Sequence, residues 1–137
     1  MRPTDQTFDG ERGNCLCACF ASILEIPLDT VPDFGALHDS GGSWTRALQQ
    51  WLSPMNLGYI VVAPGALKFR IPECYHVIGG GSPRGCTSGH AVVGFAGKAV
   101  FDPHPSRAGL TNIDEFGFLI KLAALANKQS PTEEEEE

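Results

Sequence analysis

Apolar residues follow a helical spacing in the first half of the chain and a strand-like spacing in the second half. The first helical pattern covers residues 15–25 and stops before Pro27. A second pattern opens at Gly41-Gly42-Ser43 and is ended by Pro54. Its apolar positions share one face of a helix: Trp44, Leu48, Trp51 and Leu52. The pattern therefore predicts two helices ahead of the strands.

Each predicted helix has a residue before it that is typical of a helix start. Asn14 precedes the first helix and Ser43 precedes the second. Asn and Ser side chains accept hydrogen bonds from the free backbone amides at a helix start, so we expect both residues to be caps. Trp44 and Trp51 lie on the apolar face of the second helix, and we expect them to join the core rather than form a binding platform.

The second half of the chain predicts an antiparallel sheet. Runs rich in apolar residues indicate strands at residues 59–63, 75–78, 90–95, 99–102 and 115–122, with a short helical turn near 122–126. Residues 79–85 are rich in Gly, Ser and Pro and predict a loop, and Gly97-Lys98 predicts a tight hairpin turn. Helices followed by antiparallel strands are typical of an α+β fold.

The chain length of 137 residues fits one domain, which we place at residues 1–126. The sequence becomes polar from residue 127 and ends in the run Glu133 to Glu137. A run of like charges with no apolar residues does not pack, so residues 127–137 are predicted to be a disordered acidic C-terminal tail.

The formal net charge of −6 overstates the acidity of the predicted domain. Without Glu133 to Glu137, ten basic residues face 11 acidic ones. A nearly neutral domain argues against nucleic acid as the main ligand. No apolar run approaches the ~20 residues that cross a bilayer, and the N-terminus lacks the pattern of a secretory signal. We therefore expect a soluble, cytoplasmic protein without a membrane partner.

The cysteines fit a reducing compartment. There are five cysteines, an odd number. Cys15, Cys17 and Cys19 lie in the first predicted helix, and Cys74 and Cys86 lie in the second half of the chain. A zinc site is an alternative, but on a helix Cys17 points away from Cys15 and Cys19, which is a poor geometry for one metal ion. We expect no metal and no other cofactor. Cys17 and Cys19 are predicted to be buried core residues.

Cys15 is the candidate nucleophile. It opens a predicted helix, and the backbone amides at a helix start stabilise a thiolate and an oxyanion. His90 begins a predicted strand after a glycine-rich loop and is the candidate base. Asp102 ends the neighbouring strand and is the candidate partner that orients His90. A turn at Gly97-Lys98 would place Asp102 opposite Val93, about three residues from the level of His90, and a bulge would bring the two closer. His76 and His104 are alternative bases.

Four segments together resemble the papain-like cysteine peptidases of the C39 and C39-like group. They are Gly13-Asn14-Cys15, Ala18 to Leu24, Gly89 to Val93, and Phe101-Asp102-Pro103. That group has a Cys that opens a central helix, a His-x-Val-Val strand and an Asp-Pro after the next strand. The resemblance covers about residues 6 to 103. Other segments, including residues 82–85 and 102–106, look like small proteins of bacteria and their phages whose substrates are not known.

The resemblance implies a fold and an activity. The fold would be papain-like, with an N-terminal helix carrying the Cys packed on an antiparallel sheet. The activity would be a thiol hydrolase that cleaves a peptide, isopeptide or other amide bond with Cys15, His90 and Asp102 as a triad. The family also places a Gln before the Cys as an oxyanion donor, a role that Gln6 would fill. Gln6 lies farther upstream than is usual, and Leu16 stands where the group usually has Gly.

Two functions from different classes stay open at this point. One is the thiol hydrolase, acting on a peptide or protein substrate in the cytoplasm, which would be the host cytoplasm for a phage protein. The other is a catalytically silent papain-like module that binds and sequesters a host or partner protein. Reactivity of Cys15 toward an alkylating reagent separates the two hypotheses.

Overall fold

The protein is an α+β domain whose computed structural model describes residues 1–9, 13–34 and 43–122. Within these residues, two helices are longer than one turn: α1 (Cys15–Leu24) and α2 (Trp44–Leu52). The strands are β1 (Leu57–Val62), β2 (Tyr75–Gly80), β3 (His90–Phe95), β4 (Lys98–Phe101) and β5 (Ile113–Lys121). Short 3₁₀ turns lie at Leu28–Thr30, Ser53–Met55 and Pro64–Ala66. The predicted tail at 127–137, and the predicted helical turn beyond Leu122, fall outside the described residues.

The strands form one five-stranded antiparallel sheet in the order β1-β5-β2-β3-β4. Helix α1 packs against β3 and β2 on one face of this sheet, where Phe20 meets the ring of Tyr59 edge-on at 5.1 Å. The opposite face carries a smaller apolar cluster: Ile71, Ile78, Val92 and Phe116. This architecture confirms the predicted α+β class and the packing of an N-terminal helix on an antiparallel sheet.

The start of α1 differs from the prediction. The Asn14 side chain does not cap the helix, because its Oδ1 accepts hydrogen bonds from the backbone amides of Thr7 and Phe8, both at 2.9 Å. Asn14 therefore fastens the N-terminal segment to the beginning of α1. The helix ends at Leu24, and Glu25 follows it in the left-handed conformation with a φ of 57°.

Helix α2 begins as its sequence predicts. The Ser43 Oγ accepts a hydrogen bond from the amide of Arg46 at 3.3 Å. Leu48 and Leu52 are buried, and Trp44 and Trp51 pack against the main core while staying partly exposed. The helix ends at Leu52, and Pro54 lies inside the 3₁₀ turn that follows. The described part of the chain contains no helix with the length and apolar character needed to span a membrane.

The hairpin between β3 and β4 turns one residue earlier than predicted. Phe95 pairs with Lys98, so the turn is Ala96-Gly97, and both residues have positive φ, 52° and 87°. A bulge then shifts the register so that Val93 pairs with Phe101. The earlier turn alone would place Asp102 opposite Ala91, and the bulge moves it back by one residue, opposite Val92. Asp102 is still one residue nearer to His90 than the predicted position opposite Val93, and the earlier turn is the cause. Asp102 also follows β4 instead of ending it.

Glycines 79 and 80 belong to β2 rather than to the predicted loop. Both pair with β3 and β5. They are needed for close packing: a Cβ at Gly80 would overlap the carbonyl oxygen of Asn112, and a Cβ at Gly79 would lie 3.0 Å from the Cγ of Glu115. The bounds of β3 match the predicted residues 90–95, and those of β1, β4 and β5 differ from the predictions by one or two residues.

Candidate active site

Cys15 lies at the first residue of α1, half-buried on the wall of a cavity of about 730 Å³. Burial raises the pKa of its thiol. Hydrogen bonds to the sulfur from the backbone amides of Ala91, Leu16 and Cys15 itself oppose that effect without cancelling it. The resting thiol is therefore neutral, and a base must remove its proton before it can attack a carbonyl group.

His90 is hydrogen-bonded to Asp102 close to this thiol. The distance from His90 Nε2 to Asp102 Oδ1 is 2.7 Å, and both side chains are buried. His90 begins β3, lines the same cavity as Cys15 and immediately precedes Ala91, whose amide contacts the thiol. Because Nε2 is occupied by Asp102, proton exchange with the thiol has to use Nδ1. The three residues expected to form a triad thus lie together.

The carboxylate of Asp102 makes three hydrogen bonds to described residues. Besides His90, the amides of His104 and Gly109 donate to its carboxylate, at 2.9 and 2.7 Å. Burial would raise the pKa of this carboxyl, but the hydrogen bonds from His90, His104 and Gly109 outweigh it, so the pKa is lowered. Asp102 is therefore ionised at neutral pH and can stabilise a protonated His90.

Gln6 also reaches the cavity. It is 8% exposed, and its backbone amide donates to the carbonyl of Pro103 at 3.0 Å. Its Nε2 donates one hydrogen to the carbonyl of Phe8 at 2.7 Å, which leaves a second hydrogen on that nitrogen. Its Oε1 is buried and has no hydrogen-bond partner in the part of the chain that the structure describes. The sequence separation from Cys15 is bridged because Asn14 ties residues 7 and 8 to the start of α1.

The two alternative bases have structural roles. His76 is 1% exposed, accepts a hydrogen bond from the amide of Gly97 at Nε2 and contacts Phe116 and Phe118. Burial lowers its pKa. His104 accepts from the amide of Ser106 at Nδ1, so its Nε2 carries the proton and donates to Asp9 Oδ2 at 2.9 Å. Neither ring lines the cavity that contains Cys15.

Several cavity residues were not identified from the sequence. Tyr59, Gly117 and Glu115 form part of the floor, and Asp9 and Arg84 lie on the wall. The floor depends on which strands are neighbours. Strand order is not visible in the chain, so no local signal could have identified Glu115 or Tyr59.

Cysteine and metal chemistry away from Cys15 is limited in the described residues. All five cysteines are free; Cys17 and Cys19 are buried as predicted, and burial raises the pKa of both. Within residues 1–9, 13–34 and 43–122, no group of three or more His, Cys, Asp and Glu side chains could hold a metal ion.

Comparison with protein-family models, curated proteins and solved structures gives no match to this chain.

Proposed function

We propose that the protein is a thiol hydrolase that cleaves amide bonds with Cys15, His90 and Asp102. The observation that carries this proposal is the buried His90–Asp102 hydrogen bond of 2.7 Å beside a cavity that Cys15 also lines. A histidine held by a buried carboxylate next to a cysteine at a helix start is the arrangement that nucleophilic catalysis requires. The inferred arrangement is papain-like: α1 carries the Cys, β3 begins with the His, and the Asp follows β4.

Catalysis starts with proton transfer, because the resting thiol is neutral. His90 Nδ1 takes the proton from Cys15, and the sulfur attacks the carbonyl carbon of the amide. The C–N bond then breaks, and the amine leaves with the proton from His90. Water, deprotonated by His90, attacks the thioester and releases the acid, which restores the thiol. Asp102 holds the imidazole in the tautomer that keeps Nδ1 free.

Two donors are suited to stabilise the oxyanion that forms during each attack. The backbone amide of Cys15 lies in the first turn of α1, where no preceding turn of the helix supplies a carbonyl acceptor, and it already points toward the Cys15 sulfur. The second hydrogen on Gln6 Nε2 is the other candidate. Removing one such donor typically lowers the rate by 10²–10³. The substrate is a peptide, an isopeptide or another amide of a protein, and five free cysteines fit action in the reducing cytoplasm.

The test is alkylation with a limiting amount of iodoacetamide at pH 7, read by intact mass and peptide mapping. We expect one fast label on Cys15, absent in Cys15→Ala and slowed at least tenfold in His90→Ala. Cys86→Ala is the matched control, since Cys86 lines the same cavity without a histidine partner in the proposal. Slow labelling spread over several cysteines and indifferent to His90→Ala would contradict the proposal.

A silent binding module is the second candidate, and one observation favours it. Burial keeps the pKa of Cys15 raised, so no thiolate is present before His90 acts. The outcome expected of a binding module is the scattered, His90-independent labelling just described, with the cavity still available to a partner.

A further inference from the structure

The cavity beside Cys15 is predominantly acidic among the residues that the structure describes. Four carboxylates line it: Asp9, Asp33, Asp114 and Glu115. Arg84 is the one Lys or Arg found among the described lining residues, and its Nε lies 3.8 Å from Asp9 Oδ1. At the far end of the cavity, over β2 and β5, Asp114 and Glu115 have no Lys, Arg or His partner among the described residues. Their negative charge favours a cationic group in the ligand.

Glu115 differs from the other three carboxylates in its position. It pairs with Gly79 across β2 and β5, and its side chain lies over that glycine, with Oε1 3.1 Å from where a Cβ would stand. Its side chain forms no hydrogen bond or ion pair with any described residue. The absence of a side chain at Gly79 leaves room for the exposed Glu115 carboxylate over the cavity floor, where it is available to a ligand.

Tyr59 adds a polar group next to Glu115. Its ring lies over Gly117, where a Cβ would overlap the Tyr59 hydroxyl group. The hydroxyl is neutral: burial raises its pKa, and the negative charge of Glu115 adds to that effect. A neutral hydroxyl and a carboxylate on a glycine floor form a pocket that can accept hydrogen bonds from an ammonium or guanidinium group.

The sheet register sets the distance between this pocket and the nucleophile. Gly79 pairs with Glu115 on one side and with Ala91 on the other, so the three residues share one row across the sheet. Strands are ~4.8 Å apart, which puts Glu115 roughly 10 Å from Ala91, whose amide contacts the Cys15 sulfur. That span corresponds to about three residues of an extended chain.

A second, independent feature indicates that the ligand brings hydrogen-bond donors. Gln6 lines the same cavity, and its buried Oε1 has no hydrogen-bond partner among the described residues. A buried carbonyl oxygen without a donor costs about 1–3 kcal/mol. A backbone N–H of a bound peptide would supply the missing donor at the end of the cavity that holds Cys15.

We propose that Glu115, with Tyr59, is the specificity-determining subsite of this cavity and selects a peptide substrate with an Arg or Lys side chain within about three residues of the scissile bond. This inference rests on the proposed hydrolase function for the position of the bond. The binding preference itself does not depend on catalysis, so the two can fail separately.

The test measures binding to the Cys15→Ala protein by NMR titration. The probes are six-residue alanine-based peptides with one arginine, and the same peptides with citrulline, its neutral isostere, at that position. We expect the arginine peptide to bind about three- to tenfold more tightly at one of the positions tested, with the largest shifts at Gly79 and Gly117. Raising the ionic strength to about 1 M should reduce the preference.

Variants of Glu115 test whether this residue selects the arginine side chain. In Glu115→Gln the two peptides should bind equally, while Glu115→Asp should retain part of the preference for arginine. Glu73→Gln removes the same charge from an exposed site outside the cavity and should keep the preference unchanged. Equal binding of both peptides to the Cys15→Ala protein, or a preference that persists in Glu115→Gln, would overturn the inference. Failure of the hydrolase proposal is read separately, from iodoacetamide labelling of the wild-type protein.

Discussion

The hydrogen bond between His90 and Asp102 determines which nitrogen of His90 can accept a proton. Asp102 Oδ1 takes the hydrogen of Nε2 at 2.7 Å, and amides of His104 and Gly109 fix the carboxylate itself. The carboxylate cannot turn away without leaving two backbone amides unpaired in a partly buried site. Asp102 is therefore a positioning residue that acts through His90, and its effect should be visible in reactions that need a base.

Asp102→Asn should slow acylation of Cys15 by p-nitrophenyl acetate by roughly 10²–10⁴-fold. An amide can donate to Nε2, which stabilises the tautomer with its proton on Nδ1, the wrong nitrogen for accepting a proton from the thiol. The measurement is the release of nitrophenolate at pH 7. Asp5→Asn is a matched control, because Asp5 pairs with exposed Arg107 at 2.6 Å and does not line the cavity. A change of less than twofold in Asp102→Asn would contradict the role.

Gln6→Ala should separate stabilisation of the oxyanion from reactivity of the thiol. Acylation by p-nitrophenyl acetate forms an oxyanion and should slow by about 10²–10³-fold. Alkylation by iodoacetamide forms none, and its rate should change less than about twofold. Gln50→Ala, an exposed site on α2, is the control. Equal losses in both reactions would mean that Gln6 supports the site through its contacts with Phe8 and Pro103 instead.

At the scale of elements, the β3–β4 hairpin aligns the catalytic pair. The turn at Ala96-Gly97 uses positive φ at both residues, as expected for a turn that matches the twist of its strands. The turn and the bulge after Val93 together place Asp102 opposite Val92. A change in this turn should therefore affect both stability and the geometry of the site.

Gly97→Ala should lower the free energy of unfolding by about 1–2 kcal/mol. Its φ of 87° disfavours an L side chain, and the new Cβ would stand 3.3 Å from Cδ1 of Ile71. Urea denaturation gives the measurement. Gly65→Ala is the matched control: nothing lies within 4 Å of its Cβ position and its φ is not positive, so a change within about 0.5 kcal/mol is expected. Equal effects of the two substitutions would show that the turn is not strained by a side chain.

The sequence predicted the elements well and the connections between them less well. The spacing of apolar residues identified both helices and five strands, because that spacing reflects burial on one face. The prediction that Asn14 caps α1 was wrong, because its side chain accepts hydrogen bonds from the backbone amides of residues 7 and 8 instead. The one-residue error in the hairpin arose because Ala96 tolerates a left-handed φ that its residue type does not favour. The positions of Glu115 and Tyr59 in the cavity depend on the order of the strands in the sheet, which no local sequence pattern encodes.

At the scale of the whole molecule, a histidine on the other face of the sheet couples stability to pH. His76 is buried against Phe116 and Phe118, and its Nε2 accepts the amide hydrogen of Gly97 in the β3–β4 turn at 3.0 Å. Protonation at Nε2 would replace this acceptor with a donor and place a charge in an apolar cluster. The folded protein therefore disfavours the protonated ring, which is why the pKa of His76 is lowered.

A lowered pKa in the folded state means that the unfolded chain binds the proton more readily. The stability that neutral His76 contributes is fully present above the unfolded value of ~6.5 and is lost as pH falls through that value toward the folded pKa. The pKa of Asp102 is also lowered, so ionised Asp102 stabilises the folded protein in the same way at a lower pH. Its contribution to stability is present above pH ~3.9 and is lost as the pH falls below that value. Acid should therefore destabilise the protein in two separate windows.

His76→Gln tests the first window, because glutamine has no titrating group there. The urea midpoint of the wild-type protein should fall between pH 7.5 and 5.5, and the midpoint of His76→Gln should fall less over the same interval, from a lower starting value. In Asp102→Asn, the fall of the urea midpoint between pH 7.5 and 5.5 should be the same as in the wild-type protein. The further fall of the midpoint below pH 4 should be smaller. Parallel curves for wild type and His76→Gln would show that His76 does not set the upper window.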